Sequence, residues 1–396
     1  MHQPIHRWFR LTPSYGPKLV EDILEKFGCD RFDSVYDPFA GAGTTLIHCQ
    51  LNGLTAYGTE INPFLHWVCD TSLSWRLEPA TIHAELKEIS SIYKALDASL
   101  PIELDALDLP IPPIHNPLRW WRPDILRQLL ILKHAIQGES SKENTSFFLL
   151  ALASALIPDL SNITLGRLQL HFIDRSNDSI KVLDTFLQKV SLMIADLSFV
   201  QATSLDCKTN IFLSDATKPL PELVGQNITH VITSPPYPNR YSYVWNTRPF
   251  LYFFDFMSTP GEASHLDLRS IGGTWGTATY ALAKGRIEPE SEAVARCVMP
   301  IVETIRSVDN LMANYVLKYF NMLAGQIITM DGYLASGAEV AYVVGCSRIK
   351  GQFVETDVLL GKLFEGLGYA TTSIERIRKR NSGKDLHESI VYARKP

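Results

Sequence analysis

The apolar positions at the start of the chain keep a helical rhythm. Leu19, Val20, Ile23, Leu24 and Phe27 recur three and four residues apart behind Pro17 and stop at Gly28, which predicts an amphipathic helix over 18–27. The rhythm then changes. Phe32 to Tyr36 reads as a strand, Leu46 to Asn52 as a helix stopped by Gly53, and Thr55 to Thr59 as a second strand ending at Glu60. Residues 62–76 read as a helix with Pro63 near its first turn. This alternation predicts an α/β fold with a parallel sheet.

From about Leu77 helical spacing takes over as far as residue 205, interrupted by a proline-rich break from Pro101 to Pro117. Helices are expected over Pro123 to Gln137, Thr145 to Ile157 and Ser179 to Val200, and no strand is clear. Residues 77–205 are therefore read as a helical insertion in an α/β domain made of 1–76 and 206–396. Strands return at Asn210 to Leu213 and at Ile228 to Ile232. After an aromatic and glycine-rich stretch, 238–300, come a helix (Val308 to Leu323), a strand (Ala338 to Gly345), a helix (Asp357 to Leu367) and two strands (Ser373 to Arg378, Glu388 to Ala393).

Two strand ends carry chemistry. After the first strand comes Asp37-Pro38-Phe39-Ala40-Gly41-Ala42-Gly43-Thr44-Thr45 and then a helix. Free N–H groups and the dipole at such a helix start form an anion site. Glu60, at the end of the next strand, is placed to accept from ribose hydroxyls. A dinucleotide fingerprint would want a glycine where Leu46 stands, so hydride transfer is disfavoured. After Ile228 to Ile232 comes Thr233-Ser234-Pro235-Pro236-Tyr237. Two prolines end a strand in a stiff loop at the carboxyl edge of the sheet, where open α/β folds bind ligands. A hydroxyl, a carbonyl and an aromatic face there suit an amino group on a flat ring. A plain Pro-Pro turn with a packed tyrosine would use the same residues.

Together these residues resemble the amino-group DNA methyltransferases that use S-adenosylmethionine. The D-P-F-A-G-A-G-T loop resembles their cofactor motif, and T-S-P-P-Y resembles their catalytic motif in the form usual for N4-cytosine enzymes; N6-adenine enzymes more often carry D-P-P-Y. The resemblance extends to the segment Thr12 to Pro17 and to the last third of the chain, and is weakest over 77–205. It implies a Rossmann-like methyltransferase sheet, mostly parallel with its last strand antiparallel, and S-adenosylmethionine as cofactor. It implies cofactor contacts from Tyr15, Asp37, Pro38, Phe39, Ala40, Gly41, Gly43, Thr44, Glu60, Asp215 and Thr233. It implies a catalytic loop of Ser234, Pro235, Pro236 and Tyr237, with Tyr237 stacking on a base flipped out of duplex DNA.

Other stretches are candidates for DNA contact. Arg119-Trp120-Trp121-Arg122 interleaves guanidinium and indole groups. Buried tryptophans at a helix entry would look the same. Asn162 and Arg167 lie in a polar connection, and Arg240 and Tyr243 follow the Pro-Pro loop. The run Arg376 to Arg380, with Lys384, reads as a charged hairpin edge or a phosphate contact.

Composition adds limits. Net charge is −5 with a sequence pI near 6.1, so bulk charge does not announce a nucleic-acid partner and any basic surface is local. Six cysteines stand without a C-x-x-C pair, which points to reduced thiols in a cytoplasmic protein and no metal site. The longest apolar run, Phe147 to Ile157, is too short to span a bilayer, so no membrane partner is expected, and the resemblance implies a nucleoid-associated protein. Cys207 and Cys346 have no neighbouring motif that would make either a carbon-5 nucleophile. The expected activity is site-specific transfer of a methyl group to the N4 amine of cytosine in double-stranded DNA. The expected setting is a restriction-modification or related system, with a cognate restriction endonuclease as a partner and the protein as a monomer or homodimer. N6-adenine methylation, RNA amine methylation and a non-catalytic nucleic-acid-binding module remain as alternatives.

Overall fold

The computed structural model describes residues 3–396 except 13, 167–168, 204–206, 240, 274–276 and 381–384. The chain divides into two compact units. One contains Met1–Ser14, Trp67–Leu205 and Asn246–Pro260; the other contains Tyr15–His66, Asp206–Trp245 and Gly261–Pro396.

The second unit is built on a seven-stranded sheet. Its strands are β1 (Ser34–Asp37), β2 (Thr55–Glu60), β3 (Thr209–Leu213), β4 (Ile228–Thr233), β5 (Leu334–Gly345), β6 (Ala370–Lys379) and β7 (His387–Arg394). Their order across the sheet is β3-β2-β1-β4-β5-β7-β6. All pairs from β3 to β5 are parallel. β7, the last strand, runs antiparallel to both its neighbours. This is the mostly parallel, Rossmann-like sheet with an antiparallel last strand that the sequence implies. The strand order reverses between β1 and β4, so a crevice opens at their carboxyl ends.

Burial explains the strand sequences. Val35, Tyr36, Val231 and Ile232 are fully covered, as expected of interior parallel strands with helices on both faces. β6 is an edge and is mostly exposed, and its Glu375, Arg376, Arg378 and Lys379 discourage pairing with another chain. Helices α1 (Pro17–Phe27) and α2 (Thr44–Leu51) belong to this unit, with α3 (Glu292–Arg306), α4 (Asn310–Asp331) and α5 (Thr356–Gly366). Val294, Val298 and Val302 of α3 and Val316, Phe320 and Ile327 of α4 share one core cluster with Val340, Tyr342 and Val344 of β5. Ser291 caps α3, accepting from the Val294 amide at 3.2 Å, and Asp309 caps α4, accepting from the Met312 amide at 2.9 Å. α3 begins inside the stretch read above as aromatic and glycine-rich and runs past its end. Pro300 interrupts its pattern but sits within the helix.

The first unit is mainly helical, with helices Pro79–Ser99, Pro123–Glu139, Lys142–Leu156 and Val182–Thr203. It is larger than the expected insertion at 77–205, because two distant segments join it. Asp196 accepts from the Ile5 amide (3.1 Å), the Arg7 Nε (2.9 Å) and the Trp8 indole (3.1 Å). Lys133 donates to the Phe253 carbonyl (2.7 Å) and pairs with Asp255 (2.6 Å). The expected absence of strands is corrected. Ile163–Leu165 and Leu170–Phe172 pair as a short antiparallel hairpin where a helix-to-helix loop was expected. No described helix is long and apolar enough to cross a membrane.

Candidate active site

Asp37 closes β1 and is 1% exposed. A buried carboxylate is costly unless donors surround it. Here Oδ1 accepts from the Thr233 hydroxyl at 2.5 Å and the Phe39 amide at 3.0 Å, and Oδ2 accepts from the Tyr15 hydroxyl at 2.9 Å. Tyr15 also bonds the Thr45 hydroxyl. Burial nevertheless pushes the Asp37 carboxyl up, with these donors opposing the rise.

The loop between β1 and α2 turns through Gly41 (φ 55°) and Gly43 (φ 90°), left-handed conformations that favour glycine. Gly43 takes the N-cap position of α2 without a side-chain cap. Pro38, Ala40 and Gly43 are buried, while Phe39, Gly41 and Thr44 are half-buried. Glu60 braces this loop from the end of β2. Its Oε2 accepts from the Gly41 amide at 2.9 Å and its Oε1 from the Asn62 amide at 2.8 Å. Burial pushes its carboxyl up to about 7 against those two amide bonds. Asp215 lies after β3 and caps its own turn, accepting at Oδ1 from the Thr217 amide (3.0 Å) and hydroxyl (2.7 Å). The Ser214 amide donates to the Glu60 carbonyl at 3.0 Å, which sets this turn beside the end of β2.

The Pro-Pro loop leaves β4 beside the glycine loop, joined to it through Thr233 and Asp37. The Ser234 hydroxyl donates to the Val343 carbonyl of β5 at 3.1 Å, so its oxygen can accept, with one lone pair for the neighbouring Tyr237 hydroxyl and one left over. Tyr237 is half-buried and its hydroxyl is hydrogen-bonded with Ser234. Burial pushes that phenol up. The guanidinium of Arg380 lies 5.3 Å from the centre of its ring. A Cβ on Gly345 would come within 2.8 Å of two Tyr237 ring atoms, so β5 carries glycine where that ring packs.

The structure thus brings Tyr15, Asp37, the glycine loop, Glu60, Asp215 and Thr233 to Tyr237 together in one unit. Tyr243, at the start of helix Tyr243–Phe253, belongs there too, edge-on to Tyr241 with ring centres 4.7 Å apart. Arg119, Arg122 and Asn162 belong to the other unit. There Trp120 and Trp121 are buried, so their indoles pack the interior. Arg119 lies 4.0 Å over the Phe172 ring. Arg122 pairs with Asp124 and donates to the carbonyls of Arg175 (2.9 Å) and Asp178 (2.8 Å). The Asn162 amide donates to the Trp120 carbonyl at 2.8 Å. Arg167 and Arg240 lie outside the described residues. Sequence reasoning assigned no role to Thr45, Gly345 or the Val343 carbonyl. Each acts through a neighbour far away in the chain, and no local pattern marks it.

No protein-family model matches the chain. It is 21% identical to the Type II methyltransferase M.BsoBI of Geobacillus stearothermophilus, over 99% of this chain and 84% of that protein. It is 22% identical to the Type II methyltransferase M.AvaI of Anabaena variabilis (96% and 82%) and 21% identical to M.MvaI of Kocuria varians (91% and 81%). The chain is therefore similar to Type II methyltransferases along almost its whole length. Among solved structures, an rRNA methyltransferase, aviRa from Streptomyces viridochromogenes, aligns over 98% of this chain and 89% of its own at 10% identity. The TM-score of that alignment is 0.35.

Two outcomes test this geometry. Gly345→Ala forces the Tyr237 ring to move, because ring atoms stand where the methyl group must go. In selectively labelled protein the Tyr237 ring resonances should shift while the circular dichroism of the sheet is kept; unshifted resonances contradict the packing. The second outcome concerns Glu60. The folded protein keeps it neutral up to about 7, whereas the unfolded chain ionises it near its ordinary 4.5. Folding therefore loses stability as pH rises from 4.5 towards 7, with no further loss from this group above that. Glu60→Gln removes the pH-dependent loss. Its melting temperature relative to the parent should climb between about pH 5 and pH 7 and then level off, and a difference independent of pH contradicts the burial.

Proposed function

We propose that the chain is a site-specific DNA methyltransferase that moves the methyl group of S-adenosylmethionine to the exocyclic N4 amine of cytosine. The observation that carries this reading is Ser234. Its hydrogen is committed to the Val343 carbonyl, so its oxygen is an oriented acceptor at the mouth of the β1/β4 crevice. The similarity to Type II methyltransferases supports the reaction class.

The donor set fits the cofactor. The glycine turn and the uncapped start of α2 present amides and a positive dipole end, and Glu60 offers acceptor oxygens beside the loop. Glu60 would take the ribose hydroxyls and Asp215 the adenine amine, with Phe39 and the Gly41 to Thr44 backbone around them. Tyr15 would close over the methionine end. When bound, this cofactor supplies a methyl group on a sulfonium, so the chain needs no nucleophile of its own.

The task left to the protein is orientation. An exocyclic amine is a poor nucleophile because its lone pair is delocalised into the ring. Ser234 and the Pro235 carbonyl would accept its two hydrogens and turn the lone pair out of the ring plane. Pro235 and Pro236 keep that loop stiff. Alignment of this kind is worth several kcal/mol of barrier, as an order of magnitude. The base must leave the duplex to reach the loop, and Tyr237 is its stacking partner there.

Ser234→Ala removes one acceptor and leaves both prolines. Affinity for S-adenosylhomocysteine should be kept, while methyl transfer from labelled cofactor to duplex DNA should fall about tenfold to a thousandfold, for a hydrogen bond worth ~1.5–4 kcal/mol in the transition state. Mass spectrometry of the digested product should show N4-methylcytosine. N6-methyladenine would move the reading to adenine. Label on carbon 5, on RNA alone, or full activity in the variant would overturn it.

A further inference from the structure

Arg380 ends the basic run of β6 and turns inward. It is half-buried, whereas Arg376, Arg378 and Lys379 before it are exposed. Its Nη1 donates to the Cys346 carbonyl at 2.8 Å, and its guanidinium lies 5.3 Å from the centre of the Tyr237 ring. Among the described residues no carboxylate pairs with it. Glu388, the acid that shares the surroundings of Tyr237, is already paired with Arg378. A partly buried guanidinium without a counter-charge is expensive, and a carbonyl and a ring face offset only part of that cost. Five N–H donors in a planar fork match a phosphate, and one described hydrogen bond uses a single one of them.

The support behind Arg380 is rigid. Cys346, whose carbonyl holds it, lies in a buried knot with Asp357, His387 and Ser389. Asp357 accepts from the Cys346 thiol (3.2 Å), the Ser389 hydroxyl (2.7 Å) and the Val358 amide (2.9 Å), and lies 3.0 Å from the His387 Nε2. These donors satisfy the carboxylate, so the knot reads as a brace that joins the ends of β5 and β7 to the start of α5. Gly345, next to Cys346, lets Tyr237 and Arg380 approach together. A Cβ there would meet the ring at 2.8 Å and Nη1 at 3.0 Å.

We propose that Arg380 binds a phosphodiester group of the DNA strand that enters the Ser234 to Tyr237 loop, and so fixes that strand beside Tyr237. This rests on the methyltransferase reading above. The anion is assigned to the nucleic acid because the guanidinium lies on the Tyr237 side of the site, while the glycine loop and Glu60 belong to the β1–β2 side.

The test compares the parent with Arg380→Ala and Arg380→Lys, using a duplex that the parent methylates. The dependence of DNA affinity on salt is measured for each. Loss of one phosphate contact should make the slope of log K against log salt shallower by about 0.9 in Arg380→Ala. Arg380→Lys, which keeps the charge, should restore most of the slope. The KM for DNA should rise in Arg380→Ala while affinity for S-adenosylhomocysteine stays at the parent value. An unchanged salt slope overturns the proposal even if turnover falls, because a packing defect around Tyr237 would lower turnover without touching the slope. Weakened S-adenosylhomocysteine binding also overturns it, by assigning the guanidinium to the cofactor side. A parent that methylates no DNA defeats the functional reading itself, a separate result.

Discussion

The buried carboxylate of Asp37 is the constraint on which the rest of the site depends. Taken out of water, it must be met by donors, and those donors come from three places. Tyr15 comes from the segment before α1, Phe39 from the glycine loop and Thr233 from the end of β4. Satisfying one group therefore fixes three segments with respect to one another. Deleting any donor leaves a buried acceptor short, which costs ~1–3 kcal/mol. The joint brings the glycine loop and the Pro-Pro loop into one crevice.

The sheet makes that joint available. β1 and β4 are neighbours because the strand order reverses between them, and their loops diverge above the carboxyl edge. Glu60 braces the glycine loop from β2, and Val343 orients Ser234 from β5. Four adjacent strands thus each contribute one element of the crevice. On the β5 side Gly345, Arg380 and the knot around Asp357 hold the Tyr237 ring. The Glu60 carboxyl is the costly element, since burial keeps it neutral up to about 7. Stability is given up there for an acceptor next to the proposed cofactor.

Much of the sheet was legible because interior strands are short apolar runs followed by turn residues. Ile228 to Ile232 with its two prolines, and Phe32 to Tyr36 with its glycines, mark strand ends by local chemistry alone. The structure moves the Phe32 to Tyr36 strand to Ser34–Asp37, with Phe32 81% exposed outside it. α3 was missed because Pro300 reads as a breaker, although the apolar positions on both sides of it share one face. The strand pair Ile163–Leu165 and Leu170–Phe172 was missed because its strands are three residues each, below the length at which alternation shows. Unit boundaries were less legible still. Residues 3–14 and 246–260 join the helical unit through Asp196 and Lys133, over separations of more than a hundred residues. The same limit hid Gly345, whose role depends on a ring that enters the chain more than a hundred residues earlier.

The central claim is that Asp37 couples the segment before α1 to the Pro-Pro loop. A double-mutant cycle of Tyr15→Phe and Thr233→Val addresses it directly, because each substitution removes one hydroxyl from the same carboxylate and little volume. The quantity to measure is affinity for S-adenosylhomocysteine, by calorimetry, in the parent, both single variants and the double variant. The account predicts that each single change weakens binding and that the pair departs from additivity by about 0.5–3 kcal/mol, as for residues within one network. Additivity within about 0.3 kcal/mol would show that the two segments act independently, and would contradict it.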